Sequence, residues 1–176
     1  MATPDEATRI MVAGLAGSGK TSILKHLKPS AFFLPGPTMA FNCECVIFRG
    51  VSYMIWDLAG ARNLICLWKF YLPGVKIMWW CVDDNDDHER LSESAQALRD
   101  LLKLRNEITH FVFVTTAITD TEPTLTPARI DKYFSSSLNH MHQRGIEVSR
   151  AHYNIQGNSP FLPLFPTAKN RKKALL

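Results

Sequence analysis

The segment Gly14-Leu15-Ala16-Gly17-Ser18-Gly19-Lys20-Thr21 has the spacing G-x-x-x-x-G-K-[ST]. Those residue types in that order suit phosphate. Glycines let the backbone curl so that successive N–H groups point inward at anionic oxygens. A helix opening at the lysine adds the positive end of its dipole. Lys20 would reach β- and γ-phosphates, and Thr21 would place its hydroxyl on Mg²⁺. Gly14, Ala16, Gly17, Ser18, Gly19 and Ser22 complete the candidate set for a nucleotide. The bland alternative is a glycine-rich turn without a ligand.

A second constellation supports the first. Ile55-Trp56-Asp57-Leu58-Ala59-Gly60 ends an apolar run in a carboxylate, with a glycine three residues on. A carboxylate at a strand end beside a phosphate loop can hold the Mg²⁺ water shell. Gly60 can offer its N–H to a γ-phosphate, because no side chain blocks close approach. W-D-x-x-G alone is weak; beside the loop it points to a nucleoside triphosphate.

The elements needed to position these groups are legible. Arg9–Gly14 reads as a buried strand running into the loop, and Lys20–Lys28 as a helix stopped by Pro29. Ala31–Pro37 is a loop. Asn42–Phe48 and Val51–Leu58 read as a hairpin around Arg49-Gly50. Val75–Val82, Ile108–Thr115 and Ile146–Ala151 read as strands. Leu91, Ala95, Leu98 and Leu102 mark one helix between them. A second starts at Thr126-Pro127, carries Ile130, Phe134 and Leu138, and ends at Gly145. Strands alternating with helices predict an α/β fold with a mostly parallel sheet. Pro160, Pro163 and Pro166 forbid a regular helix over Ser159–Pro166, which reads as an extended strap. A basic stretch, Lys169 to Lys173, follows and reads as solvated.

Composition narrows the classes. At 176 residues, 46% hydrophobic and 20% charged, the chain suits one soluble domain. A net charge of +4 is too small and too spread for nucleic acid. The longest apolar run, Val75–Val82, falls far short of the roughly twenty residues of a membrane span. Cys43, Cys45, Cys66 and Cys81 lack zinc spacing and read as reduced thiols of a cytoplasmic protein. Asp83-x-Asn85-x-Asp87 starts like a calcium loop but has His88 and Ser94 where Gly and Glu are needed.

Five blocks carry a resemblance: Gly14 to Leu24; Pro37-Thr38-Met39-Ala40-Phe41-Asn42; Trp56-Asp57-Leu58-Ala59-Gly60; Leu67-Trp68-Lys69-Phe70-Tyr71; and Val82-Asp83-Asp84-Asn85-Asp86. With their spacings, from about Arg9 to Leu102, the sequence resembles the Arf and Arf-like small GTPases. The resemblance implies a P-loop small-GTPase fold. That is a six-stranded, mostly parallel sheet with one antiparallel edge strand and helices on both faces. It implies that Thr38, with Thr21 and Asp57, serves Mg²⁺ and meets the γ-phosphate only in the triphosphate state. Gly60 would do the same from switch II, and loss of that phosphate would release both segments. The hairpin resembles the interswitch region, which in this family shifts register between states. Phe41, Trp56 and Tyr71 match the family's aromatic triad for protein effectors; the alternative is that they are core aromatics.

Several positions depart from the pattern. Ala61 stands where the family has the glutamine that orients the attacking water, Ala59 replaces a glycine, and Ala16 replaces an aspartate. The family's N-K-x-D guanine motif falls on Val114-Thr115-Thr116-Ala117-Ile118-Thr119-Asp120. Asp120 can supply the carboxylate for guanine, about two residues late. Each unmade buried hydrogen bond costs about 1–3 kcal/mol, so guanine selectivity should fall. Ser149-Arg150-Ala151 sits where the last base-contacting loop of the family begins.

The resulting expectation is a switch that binds GTP or GDP with Mg²⁺ and recruits effectors in trafficking or ciliary-type pathways. Its intrinsic hydrolysis is expected to be very slow. The alternative is a pseudo-GTPase interaction module. A P-loop kinase or ATPase is disfavoured by the switch blocks and by the lack of an Arg-rich lid. Expected partners are protein effectors and regulators, with no nucleic acid. A short polar extension, Ala at position 2 and no amphipathic leader imply no intrinsic membrane anchor, with peripheral association through partners. A monomer is expected. Residues 1–8 read as the extension, 9–158 as the nucleotide-binding domain and 159–176 as the tail.

Overall fold

The computed structural model describes residues 7–31, 36–118, 124–157 and 162–166. Six strands form one sheet: β1 (Thr8–Ala13), β2 (Phe41–Phe48), β3 (Val51–Leu58), β4 (Val75–Asp83), β5 (His110–Ala117) and β6 (Glu147–Asn154). Their order is β2-β3-β1-β4-β5-β6. The β2–β3 pair is antiparallel and every other pair is parallel. Central strands of such a sheet are covered on both faces and must be apolar throughout. β4 and β5 are buried almost end to end, whereas β2, at one edge, is mostly half-exposed.

The β2–β3 hairpin turns in two residues, with Phe48 opposite Val51. Arg49 (φ 51°) and Gly50 (φ 78°) both take the left-handed conformation that such a tight turn needs.

Helices cover both faces. α2 (His88–Leu102) and α3 (Pro127–Gln143) close one side over Met78, Trp80, Phe111 and Phe113. α1 (Lys20–Leu27) closes part of the other, over Ile10, Val12, Val114 and Tyr153. The helix starts follow from local chemistry. Asp87 accepts a hydrogen bond from the Arg90 amide (2.9 Å) and Thr126 caps α3 ahead of Pro127.

Several boundaries differ from expectation. β5 begins two residues later and β6 ends at Asn154 rather than Ala151, because its ladder to β5 continues through Thr115, Thr116 and Ala117. Ile65–Phe70 forms a 3₁₀ turn that no sequence periodicity announced; its six residues are too few to show a period. The strap is not wholly extended: Leu162–Leu164 makes one 3₁₀ turn, which Pro163 tolerates. Residues 159–161 of the strap and the basic stretch lie outside the described residues.

The end of the strap fills the sheet face that α1 leaves open. Phe165 stacks on Phe48 (ring centroids 4.2 Å), tilts against Tyr53 (4.8 Å) and meets Trp79 edge-on (5.4 Å). The Trp79 indole N–H donates to the Leu164 carbonyl (2.8 Å).

Candidate functional site

β1 and β4 run side by side in parallel, and the phosphate loop leaves the end of β1. Gly14 has φ 142°, and a Cβ there would lie 2.3 Å from the Cys81 carbonyl oxygen, so this position takes only glycine. The loop then wraps toward α1, whose N-terminal cap, Gly19, provides no side-chain hydrogen bond. The first amides of α1 therefore have no side-chain competitor for an anion.

A cavity of about 240 Å³ opens there. Ala16, Gly17, Gly19, Lys20, Thr21 and Ser22 line it together with Thr38, Gly60 and Ala61. Asp83, Ile118 and Ile155 line it as well. Gly14 and Ser18 stand behind the loop rather than on the cavity wall; Ser18 is buried, and its carbonyl accepts from the Thr116 hydroxyl (3.2 Å). Asp120 lies outside the described residues.

The magnesium candidates come together from three separate segments. The Thr21 hydroxyl donates to Asp57 Oδ2 (2.6 Å) and lies 3.0 Å from the Thr38 hydroxyl. Asn42 Nδ2 donates to the same carboxylate oxygen (2.9 Å). Asp57 is fully buried and its other oxygen, Oδ1, has no hydrogen-bond partner among the described residues. Burial pushes the carboxyl above its ordinary value, and the hydrogen bonds from Thr21 and Asn42 partly oppose that. Two hydroxyls and a carboxylate with a free oxygen form a hard, all-oxygen donor set, which fits Mg²⁺.

Lys20 is buried, and its ammonium donates to the Leu15 carbonyl (2.7 Å) and approaches Ser18 Oγ (3.4 Å). Burial lowers its pKa, with Asp57 opposing. Gly60 lies flat on the loop: its carbonyl accepts from the Ala16 amide (2.9 Å), and a Cβ there would sit 2.4 Å from the Gly14 carbonyl oxygen. Ala61 also lines the cavity, and its side chain is only a methyl group.

Several residues to which the sequence analysis gave no role of their own hold this arrangement. Arg90 donates to Asp86 Oδ1 (2.7 Å) and to the Ala16 carbonyl (2.7 Å), tying α2 to the phosphate loop. Trp68, buried in the 3₁₀ turn, donates to the Ala59 carbonyl (2.9 Å) and fixes the residue before Gly60. Arg62 pairs through both Nε and Nη2 with Glu93 of α2 (2.6 and 2.7 Å). Asp84 accepts from the Thr124 and Leu125 amides (2.8 Å each), anchoring the segment that precedes α3. A carboxylate one residue from a strand end was visible in the sequence, but its acceptor role needed the fold.

At the far end of the cavity Ser149-Arg150-Ala151 are not a loop. They lie within β6, and the turn that reaches the cavity is Ile155–Gly157. Asn154 forms it by accepting from the Gln156 and Gly157 amides (2.9 and 3.1 Å). Asn-x-x-Gly was the available signal for that turn.

The three aromatics form one cluster at the hairpin. Ring centroids are 5.1 Å apart for Phe41–Trp56, 5.5 Å for Phe41–Tyr71 and 5.7 Å for Trp56–Tyr71. Phe41 is 43% exposed, while Trp56 and Tyr71 are half-buried against the core. The outer ring is at the surface, and the inner two pack against the core beneath it. Met39 and Phe70, next to them in sequence, are well exposed.

Comparison with known proteins agrees with this fold. The family described as Arf, the ADP-ribosylation factor family, matches residues 1–158. ADP-ribosylation factor K of Dictyostelium discoideum is 36% identical over 95 residues, which are 54% of this chain. Those residues span about half (50%) of that relative's length. The Arl6 BBS3 small GTPase from Trypanosoma brucei, solved with a bound nucleotide analogue, GppNp, superposes with a TM-score of 0.68 at 22% identity. That superposition covers 85% of this chain and 88% of the other and shows the same fold.

Proposed function

The chain belongs to the ADP-ribosylation factor family, and we propose that it is a magnesium-dependent guanine-nucleotide switch with very slow intrinsic hydrolysis. The observation that carries the reading is the convergence of Thr21, Thr38 and Asp57, with one Asp57 oxygen left without a partner. When bound, Mg²⁺ would neutralise charge on the β- and γ-phosphates. Around it the chain's own groups divide the work. Loop amides and the α1 N-terminus cradle the phosphates, and Lys20 turns from the Leu15 carbonyl to reach them. Thr38 and Gly60 read the γ-phosphate from the two switch segments. Ala61 has no group to orient a water, so turnover is slow.

The partners of this proposal are protein effectors and regulators in trafficking or ciliary-type pathways, met through Phe41, Trp56 and Tyr71. It acts in the cytoplasm as a monomer. Among the described residues no helix is long and apolar enough to cross a membrane, and membrane contact is assigned to partners.

A second reading, a pseudo-GTPase, has its own observation. The Lys20 ammonium and the Ala16 amide, both phosphate donors in the first reading, already have partners in Leu15 and Gly60. Calorimetric titration with GTP, GDP and ATP, with and without Mg²⁺, separates the two. Magnesium-dependent binding that is lost in Lys20→Ala supports the switch. No binding of any nucleotide by the unaltered chain replaces it with the interaction module.

A further inference from the structure

We propose that α2 and α3 hold between them a second anion site, for a tetrahedral oxyanion of the phosphate-monoester class. The two helices lie side by side on one face of the sheet. A cavity of about 100 Å³ opens along their seam, lined by Arg99, Leu102 and Lys103 from α2 and its C-cap, and by Ser136, Ser137 and His140 from α3. It shares no residue with the nucleotide cavity. α2 starts beside the phosphate loop and reaches Lys103 fifteen residues later, so the seam lies about 20 Å away.

Helical spacing explains the convergence. Arg99 and Lys103 are four apart, and Ser137 and His140 three apart, so each pair presents one face. Ser137 is 1% exposed, yet its hydroxyl has no hydrogen-bond partner among the described residues. The buried His140 Nε2 has none either. Buried polar atoms are nearly always satisfied, so two orphans in one small cavity call for a ligand. The other groups set its charge. Arg99 donates to Gln96 Oε1 (2.6 Å) and Lys103 to Asp100 Oδ1 (2.8 Å), which leaves each with donors to spare. A hydroxyl, a ring nitrogen, a guanidinium and an ammonium can all donate. A single water could satisfy the two orphans; the two cations beside them favour an anion there instead. An ion with several oxygens arranged in three dimensions meets donors arriving from two helices. The volume admits one such group and not a nucleotide.

The test uses the full chain and inorganic phosphate, at constant ionic strength, read on the ring resonances of His140, assigned with His140→Gln. The expected result is a saturable shift with phosphate and none with chloride. Arg99→Gln and Lys103→Gln should each raise the midpoint about tenfold, the loss of one charge-assisted bond. Lys103 is largely exposed, so its substitution leaves the fold intact. Ser137→Ala should weaken the response without altering nucleotide binding. No shift, an equal shift with chloride, or a midpoint unmoved in both cation variants overturns the site. Phosphatidylcholine vesicles with and without phosphatidylinositol 4-phosphate then separate the sources. Sedimentation with the phosphorylated lipid alone, lost in Lys103→Gln, assigns a membrane headgroup. A His140 response without sedimentation assigns a soluble phosphate monoester.

Discussion

Burial holds the Asp57 carboxyl above its ordinary value of 3.8, and the hydrogen bonds from Thr21 and Asn42 only partly counter it. A raised carboxyl favours the folded state while protonated. That contribution is complete below 3.8 and is lost as pH rises through the raised value. Magnesium requires the opposite, ionised form. Its affinity should therefore fall about tenfold per pH unit once pH drops below the raised value, read by titration of Mg²⁺ in the presence of GDP. Asp57→Asn should remove both that pH dependence and the magnesium requirement; a variant that keeps them would place the metal elsewhere. Ala61→Gln should raise single-turnover hydrolysis by about tenfold or more if the missing water-orienting group is the defect. A flat rate would move the fault to the Lys20 or Gly60 geometry. The types of Asp57 and Ala61 were plain in the sequence. The free Oδ1 was not, because it depends on which donors three distant segments bring.

The hairpin β2–β3 joins the two sides of the cavity. Thr38 precedes β2, and Asp57 and Gly60 lie at or just beyond the end of β3. At its opposite end the strap grips it through Phe165 on Phe48 and Tyr53. Phe165 is 4% exposed, and Phe165→Ala should cost about 3 kcal/mol of unfolding free energy in urea. The same variant should speed amide exchange at the hairpin and weaken magnesium-nucleotide affinity, with Phe165→Leu recovering most of both. Unchanged hairpin exchange would mean that the strap is only a cover. Proline spacing showed that this segment could not be a helix. Its landing place followed from a sheet face that α1 is too short to cover.

Cys81 lies in the middle of the sheet, between the two layers, and burial pushes its thiol up to about 12 although Lys20 pulls it down. Cys45 and Cys66 are exposed, and Cys43 is half-buried with its thiol toward Met54 (3.2 Å). Alkylation of the native protein should modify Cys45 and Cys66 at once, Cys43 more slowly and Cys81 only through global opening. Magnesium nucleotide at a hundred times its dissociation constant should slow the Cys81 reaction about a hundredfold, because binding lowers the open fraction in that ratio. Early Cys81 labelling would show that the centre of the sheet opens locally.

The linear chain determined the phosphate loop, the strand-ending carboxylate, the order of strands and helices, and the departures at Ala61 and in the guanine motif. These are properties of residue type and short spacing, where backbone curvature, charge and periodicity act locally. The convergence of Thr21, Thr38, Asn42 and Asp57 is of another kind. So are the Arg90 and Trp68 clamps, the docking of Phe165, and the unpartnered pair in the α2–α3 seam. Each depends on which segments pack together. Hydrogen-bond satisfaction and burial are settled by neighbours in space, and a sequence lists neighbours along the chain.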